Sequence, residues 1–276
     1  MGKLDGRVAL VTGAGRGQGR AHALALAASG AAVVALDVDG ADTTAAYPLA
    51  TASDLARTVE LVEQAGGRAH AITADIRSSD EVDAAVSETL ELFGRVDVLV
   101  ANAAICACAP FGELDDEHFS DVIATNLTGT FHCLRAVVGP MTAQQFGRIV
   151  VVSSMTGRRG NPNLAHYCAS KYAVIGLAKS LALEVAASGV TVNVMCPTSV
   201  DTTMVHNEAN YRLFCPDLEH PTIDDVRPRF ASLNPMGIPW IDPDVFTAAV
   251  LYLVEDDGFV SGATLEVGAG ISALLT

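Results

Sequence analysis

The chain alternates short runs of apolar, often β-branched residues with longer segments in which apolar positions recur at helical spacing. Strands that alternate with helices in this way form parallel sheets whose strands are joined by crossover helices. We predict strands over 7–12, 31–37, 69–74, 96–101, 148–153, 190–196 and 263–267. We predict helices over 17–29, 53–65, 79–93, 116–141, 165–188 and 242–254. The pattern predicts an α/β fold, a Rossmann-type doubly wound parallel sheet of about seven strands with helices on both faces.

Two segments interrupt this alternation. An extra loop, 38–51, follows the second strand, and a proline-rich segment, 197–241, precedes the last helix. Loops of this length in a compact domain commonly cover a site or bind a ligand. No linker divides the chain, so we predict a single domain over 1–276, in which 38–51 lies over a cofactor and 197–241 forms a lid over the substrate.

Composition narrows the classes of partner. Half of the 276 residues are apolar, enough to bury a sheet on both faces. The formal net charge of −15 would repel a phosphate backbone, and no cluster of Lys and Arg interrupts it, which argues against nucleic acid. No apolar run approaches the length of a membrane span or of a signal-peptide core, so we predict no membrane association and a cytoplasmic location.

The six cysteines include no C-x-x-C pair. Disulfides do not persist in a reducing compartment, and the Cys106-x-Cys108 spacing is not a usual zinc spacing. We interpret the cysteines as small buried side chains and predict no metal site.

A glycine-rich turn joins the first strand to the first helix. Gly13, Gly17 and Gly19 surround Arg16 and Gln18 in a G-x-x-x-G-x-G pattern, which departs from the G-x-G-x-x-G fingerprint of dinucleotide-binding folds. Small residues let the backbone approach a pyrophosphate, and the start of a helix offers unpaired N–H groups. The turn therefore predicts a nucleotide site, although a glycine-rich turn without a ligand would have the same sequence.

The end of the second strand distinguishes NAD from NADP. Asp37 lies eighteen residues after Gly19, where a carboxylate can accept hydrogen bonds from an adenosine ribose and repel a 2′-phosphate. Arg16 argues for NADP, but Val38 stands where a second cation would be expected. We predict NAD; a strand-end turn former is the alternative reading of Asp37.

Tyr167 and Lys171 are the candidate proton-transfer pair. Four residues apart on a predicted helix, they lie on one face. A neighbouring ammonium and an oxidised nicotinamide would both lower the pKa of Tyr167, which could then take the hydroxyl proton of an alcohol.

Ser154, at the end of the fifth strand, could hold the substrate oxygen; Ser153 points to the opposite face of the strand. We interpret His166 as a surface or pocket-wall residue.

The residues Gly13-x-x-x-Gly17-x-Gly19, Asp75, Asn102-Ala103-Ala104, Asn126, Ser154 and Tyr167-x-x-x-Lys171 occur in one order along the chain. With them the chain resembles the short-chain dehydrogenase/reductase family from end to end. The resemblance implies an NAD(P) cofactor and a homotetramer. It also implies a catalytic tetrad of Asn126, Ser154, Tyr167 and Lys171, in which Asn126 holds a water. The expected cofactor-binding residues are Gly13, Arg16, Gly17, Gln18, Gly19, Asp37, Asp75, Ile76, Asn102, Ala103, Tyr167, Lys171, Pro197, Val200 and Thr202.

Two positions depart from the family pattern. Ala104 and Thr198 each replace a glycine that is usual there. The 38–51 loop and the stretch Phe214-Cys215-Pro216-Asp217-Leu218 are similar to the carveol dehydrogenase branch of the family, which is coupled to the peptide-derived redox cofactor mycofactocin.

Our leading hypothesis is an NAD-dependent dehydrogenase of a small apolar secondary alcohol, such as a terpene alcohol, acting on the alcohol or its ketone. A separate prediction is that Tyr47, Pro48 and Leu49 of the 38–51 loop cover the adenosine, so that NAD leaves slowly and electrons pass to an external acceptor such as mycofactocin; a solvated surface loop is the alternative. The residues expected to line its pocket are Met204, Leu213, Phe214, Leu233, Met236, Ile238 and Trp240. A 3-oxoacyl-carrier-protein reductase is the alternative enzyme, although an acidic carrier would need a basic docking patch and NADPH is its usual cofactor. A non-catalytic NAD-binding protein is the alternative outside enzymes.

Overall fold

The computed structural model describes residues 2–275 and shows a parallel sheet covered by helices. The strands are β1 (Val8–Thr12), β2 (Ala32–Asp37), β3 (Arg68–Thr73), β4 (Val98–Ala101), β5 (Gly147–Val152), β6 (Val190–Pro197) and β7 (Thr264–Val267). The helices are α1 (Gly17–Ala28), α2 (Ala52–Gln64), α3 (Ser79–Phe93), α4 (Asp116–Ile123), α5 (Thr130–Gln144), α6 (Ala165–Val185), α7 (Glu208–Phe214), α8 (Ile223–Ala231) and α9 (Pro243–Val254). No helix within 2–275 is both long and apolar enough to span a membrane.

The strand order is β3-β2-β1-β4-β5-β6-β7, and all neighbours pair in parallel. Because the chain winds outward from β1 in one direction and from β4 in the other, the crossover connections diverge between these two strands. A crevice forms there at the carboxyl ends of the strands, where open α/β folds bind ligands. The predicted doubly wound sheet of about seven strands is confirmed.

Successive residues of each central strand enter different cores. Val8 and Leu10 of β1 pack into a cluster with α3, α5 and α6, whereas Ala9 and Val11 pack with α1, α2 and α9. Burial on both faces explains why these strands read as continuous apolar runs. The sheet is thus held rigidly from both sides, and its carboxyl edge can position side chains.

Two predicted elements need correction. The predicted helix 116–141 is divided into α4, a π-helical segment over Ala124–Gly129, and α5, which extends to Gln144. The segment 197–241, predicted without regular structure, contains α7 and α8. Its prolines concealed these helices, since Pro228 lies inside α8, although the Asn207 and Thr222 caps mark their starts.

Candidate active site

The glycine turn forms the floor of the crevice. Gly13 has φ +68°, and a Cβ there would lie 2.9 Å from the Cα of Ala103. A Cβ on Gly19 would collide with the carbonyl oxygen of Gly13. No side chain caps the start of α1, so the N–H groups of its first turn remain free for an anion. These features fit the pyrophosphate of a dinucleotide.

Asp37 closes one end of this crevice. Its carboxylate accepts hydrogen bonds from the N–H of Gly15 at 2.8 Å and of Val38 at 2.9 Å. Burial raises the pKa of Asp37, while these N–H groups and the nearby Arg16 oppose the rise. The side chain is therefore held in place with acceptor capacity left for ribose hydroxyls.

The 38–51 loop, which we name the strap, crosses the carboxyl edge of the sheet. Asp121 accepts hydrogen bonds from both the N–H and the hydroxyl of Thr44, at 2.7 and 2.9 Å. Arg77 donates to the Asp42 carbonyl at 3.2 Å and pairs with Asp121 at 3.1 Å. The guanidinium of Arg16 donates to the Pro48 carbonyl. The strap is therefore a built wall of the crevice.

The side chain of Tyr47 connects the strap to the residues near the catalytic site. Its side chain is buried, and its hydroxyl accepts the N–H of Cys106 at 3.0 Å. Ala45 and Leu49 of the strap pack in the same apolar cluster as Tyr167. The strap thus connects the cofactor side of the crevice to the substrate side.

Two adjoining cavities occupy the carboxyl edge. The first, about 140 Å³, is lined by the glycine turn, the strap and the ends of β2, β3 and β4. Eleven of the predicted cofactor-binding residues line it: Gly13, Arg16, Gly17, Gln18, Gly19, Asp37, Asp75, Ile76, Asn102, Ala103 and Thr202. The second, about 170 Å³, is lined by Ser154, Tyr167, Lys171, Pro197 and Val200 together with lid residues. Gln18, Asn102 and Thr202 line both cavities, so a ligand in one can reach the other.

Tyr167, Lys171 and Ser154 meet at the wall of the second cavity. Lys171 donates from Nζ to the Val152 carbonyl at 2.9 Å, and Nζ lies 5.6 Å from the centre of the Tyr167 ring. Ser153 turns away and donates to the Lys171 carbonyl at 2.8 Å, in accord with the predicted alternation. The residues that follow β5 and the first two turns of α6 therefore bring Ser154, Tyr167 and Lys171 together, as predicted.

Burial dominates the electrostatics of this pair. It lowers the pKa of Lys171 to about 8. Burial also raises the pKa of Tyr167 well above its ordinary value, with further increases from Cys106 and Tyr47 and an opposing hydrogen bond from Ser154. The expected lowering of the Tyr167 pKa is therefore not produced by the protein groups alone, because desolvation of the phenolate outweighs them.

Asn126 lies in the π-helical segment, which is widened by one residue per turn. Its amide donates to the Ile105 carbonyl at 2.9 Å and to the Ser170 hydroxyl at 3.2 Å, and its oxygen accepts the Ile105 N–H at 2.8 Å. Such π-helical turns occur frequently at functional sites. The side chain fixes the backbone after β4 against α6, next to Lys171.

Other predicted residues have different surroundings from those expected. His166 is fully buried, and neither ring nitrogen has a hydrogen-bond partner within 2–275, so the surface or pocket-wall interpretation is wrong. Met236 is exposed, and Ile238 packs against the core cluster between the sheet and α1, α2 and α9. Trp240 packs on His206 rather than facing the cavity. The lid packs against itself through α7 and α8, which were not predicted. These three side chains therefore do not line the substrate cavity among the described residues.

Some residues of the site escaped the sequence analysis. Tyr47 was predicted to cover the adenosine, but its hydrogen bond with the N–H of Cys106 was not predicted. No role was predicted for Arg159 and Asn161, which line the second cavity. Cys106 and Cys108 also line that cavity instead of being buried, whereas the other four cysteines are buried. Position after β5 was the available signal for Arg159, since residues that follow a strand at the carboxyl edge reach the site.

The comparisons with known proteins agree with this geometry. A model of the short chain dehydrogenase family matches residues 7–212. The chain is 41% identical over 274 residues to a (−)-trans-carveol dehydrogenase of Rhodococcus erythropolis, covering 98% of this chain and 99% of that one. It is 42% identical over 272 residues to an NAD-dependent oxidoreductase of Mycobacterium tuberculosis, covering 98% and 97%.

A solved structure is similar over the whole chain. The crystal structure of carveol dehydrogenase from Mycobacterium avium in complex with NAD matches with a TM-score of 0.96 and 39% identity, covering 99% of this chain and 100% of that one. The chain belongs to the short-chain dehydrogenase family. The resemblance stated from its motifs is confirmed, including its similarity to carveol dehydrogenases.

Proposed function

We propose that this chain is an NAD-dependent dehydrogenase that interconverts a small, mostly apolar, carveol-like secondary alcohol and its ketone. The observation that carries the proposal is the pair of adjoining cavities. One is lined by the glycine turn and Asp37, and the other by Ser154, Tyr167 and Lys171. A cofactor in the first would meet an alcohol in the second beside a proton-transfer group.

The residues of the first cavity fit NAD. Free N–H groups at the start of α1 suit the pyrophosphate, and Asp37 suits an unphosphorylated ribose. The complex of the similar Mycobacterium avium structure contains NAD. When bound, NAD supplies the acceptor for the carbinol hydride and a positively charged ring. We place Asp75 and Ile76 at the adenine end and Asn102, Ala103, Pro197, Val200 and Thr202 at the nicotinamide end.

The chain's own residues handle the proton. We propose that Tyr167 receives the hydroxyl proton as the alcohol loses its hydride, and returns it in the reverse direction. Ser154 donates a hydrogen bond to the substrate oxygen. Lys171, held by the Val152 carbonyl, supports the phenolate by its charge and also holds the nicotinamide ribose. For Asn126 the water-holding role implied by the family stays a prediction, and its hydrogen bonds support a positioning role.

The anchored strap supports a finer proposal. Its anchors to Asp121, Arg77 and Arg16 would have to break before the adenosine half of NAD could leave. We infer that NAD dissociates slowly and that electrons pass to an external acceptor, for which mycofactocin is the candidate. A homotetramer and a cytoplasmic location also stay predictions.

A turnover assay tests the function. Purified protein is given a panel of secondary alcohols with NAD, with and without an artificial electron acceptor, so that a retained cofactor does not hide activity. Tyr167→Phe should lower turnover by about 10² or more while the NAD content stays nearly unchanged. Tyr172→Phe is the matched control, since Tyr172 is 48% exposed on the same helix.

Parental turnover by Tyr167→Phe would remove Tyr167 from the mechanism. Lys171→Met should lose activity and also bind NAD more weakly. Activity only on a carrier-bound 3-oxoacyl group with NADPH would instead support the alternative enzyme.

A further inference from the structure

The charges lining the substrate cavity differ in sign from those of the chain as a whole. Acidic residues outnumber Lys and Arg by 32 to 17 in the sequence. Yet among the described residues the lining of this cavity contains no Asp or Glu, and its charged side chains are Lys171 and Arg159. Lys171 is part of the proposed proton-transfer set, so Arg159 is the cation that the proposed mechanism leaves unused.

Arg159 has no partner in the described part of the chain. Within residues 2–275 its Nε is buried without a hydrogen bond, and its guanidinium takes part in none of the ion pairs there. The preceding residue, Arg158, by contrast pairs with Glu266 at 2.7 Å. A partly desolvated guanidinium without an acceptor is costly, so an acceptor from outside the chain would be bound favourably.

The backbone holds Arg159 next to the catalytic residues. Its N–H donates to the Met155 carbonyl at 3.2 Å, which ties it to the turn that follows Ser154. The Sγ of Cys168, the residue after Tyr167, lies 4.0 Å from the Arg159 carbonyl oxygen. Arg159, Ser154 and Tyr167 line one cavity, so a group that Arg159 binds there shares the cavity with the hydroxyl that meets Ser154 and Tyr167.

The rest of the lining defines the body of that molecule. Asn161 adds a polar side chain in the same loop as Arg159. The lid contributes apolar side chains: Met204, Val205, Leu213, Phe214, Phe230 and Leu233. The cavity thus combines an apolar wall, a carbinol site and a cationic group.

We propose that the substrate is a secondary alcohol with an apolar body and a carboxylate, and that Arg159 binds the carboxylate. This inference rests on the proposed dehydrogenase function and replaces the neutral, carveol-like alcohol with a hydroxy acid that keeps an apolar body. Guanidinium and carboxylate form paired, charge-assisted hydrogen bonds, which a neutral substrate cannot replace. The conversion is unchanged: the carbinol loses a hydride to NAD and a proton to Tyr167, and the product is the oxo acid.

The test compares two substrates that share one carbinol, 4-hydroxycyclohexanecarboxylate and its methyl ester. For the NAD-loaded enzyme, kcat/KM should favour the acid by at least about tenfold. Arg159→Met should abolish this preference, Arg159→Lys should keep part of it, and the neighbouring Arg158→Met should leave the ratio unchanged. A parent that prefers the ester, or an acid-to-ester ratio unaffected by Arg159→Met, would overturn the proposal.

A binding measurement separates this inference from the function on which it rests. If neither compound is turned over, the dehydrogenase proposal fails for this substrate class. Calorimetric titration of the same NAD-loaded protein with acid and ester then decides the anion site alone. Tighter binding of the acid that is lost in Arg159→Met supports the site, and equal binding of acid and ester overturns it.

Discussion

Asp37 is the residue on which the choice of cofactor depends. Its carboxylate is fixed by two backbone N–H groups beside the glycine turn, where a 2′-phosphate would meet negative charge. Asp37→Ser combined with Val38→Arg should shift the ratio of kcat/KM toward NADP by at least about tenfold, because repulsion is replaced by attraction. Asp80→Ser, which removes an exposed carboxylate at the start of α3, is the control. A parent that already prefers NADP would show that the interpretation of Asp37 is wrong.

Lys171 should make stability depend on pH. The folded protein releases its proton near pH 8, whereas the unfolded chain keeps it to about 10.5. Between these values unfolding takes up a proton, so the free energy of unfolding of the parent should rise with pH relative to Lys171→Met. These two and a half pH units correspond to about 3 kcal/mol.

Chemical denaturation of parent and variant between pH 7 and about 11 measures this difference. Below pH 8 it should be constant, and above 10.5 it should level off. Lys179→Met, which replaces an exposed lysine on α6, is the control. A flat difference across the range would mean that Lys171 keeps an ordinary pKa in the folded protein.

Residues whose role follows from local spacing were predictable from the sequence. Tyr167 and Lys171 share a helix face, and Ser154 ends a strand, so their meeting was predicted and is observed. The contact of Tyr47 with Cys106 and the place of Arg159 in the second cavity were not predicted, because both depend on tertiary contacts between different segments of the chain. His166 was misjudged for the same reason: helical geometry gives its direction but not what packs there.

At the scale of elements, the π-helical segment shows the limit of periodicity. The apolar spacing of 116–141 predicted one continuous helix, and one extra residue per turn over Ala124–Gly129 is invisible to a pattern of that length. The widening carries Asn126 to the backbone of Ile105. The strand bounds were predictable within a residue or two because buried β-branched runs have sharp ends.

The strap should control how fast NAD leaves. Protein purified without added cofactor should release NAD on heat denaturation, and alcohol with excess NAD should give about one turnover per site until an external acceptor is added. Asp121→Ala removes the acceptor for Thr44 and the partner of Arg77, and should speed NAD release by about tenfold or more. Asp116→Ala, an exposed carboxylate on the same helix, is the control. Empty sites and rapid multiple turnover in the parent would leave an ordinary exchanging dehydrogenase.

At the scale of the molecule, the apolar composition and the alternation of strands with helices were sufficient to predict the architecture. Apolar runs long enough to be buried on both faces, separated by helices, permit few arrangements besides a doubly wound sheet. The position of the site also followed, because the ends of parallel strands meet at one edge. The structure of the lid could not be predicted in the same way, since its helices are short, α8 contains Pro228, and both pack onto a small core of their own formed by Cys215, Val226 and Phe230.

The exposed face of α6 is a candidate subunit interface of the predicted homotetramer. Tyr172, Gly176 and Leu183 are exposed at spacings of four and seven residues, and Leu183 is 83% exposed. The same face also carries the exposed Lys179 and Ser180, so Tyr172 and Leu183 are its large apolar side chains, and exposed side chains of this kind occur at interfaces. We therefore expect light scattering to give a mass near four times 28.6 kDa for the parent. Leu183→Glu should reduce the mass to that of a dimer or monomer, because a carboxylate would be buried without a partner.

Leu92→Glu, on the exposed face of α3 at 52% exposure, should keep the parental mass. A monomeric parent would contradict the tetramer, and a Leu183→Glu variant of unchanged mass would place the interface on another face.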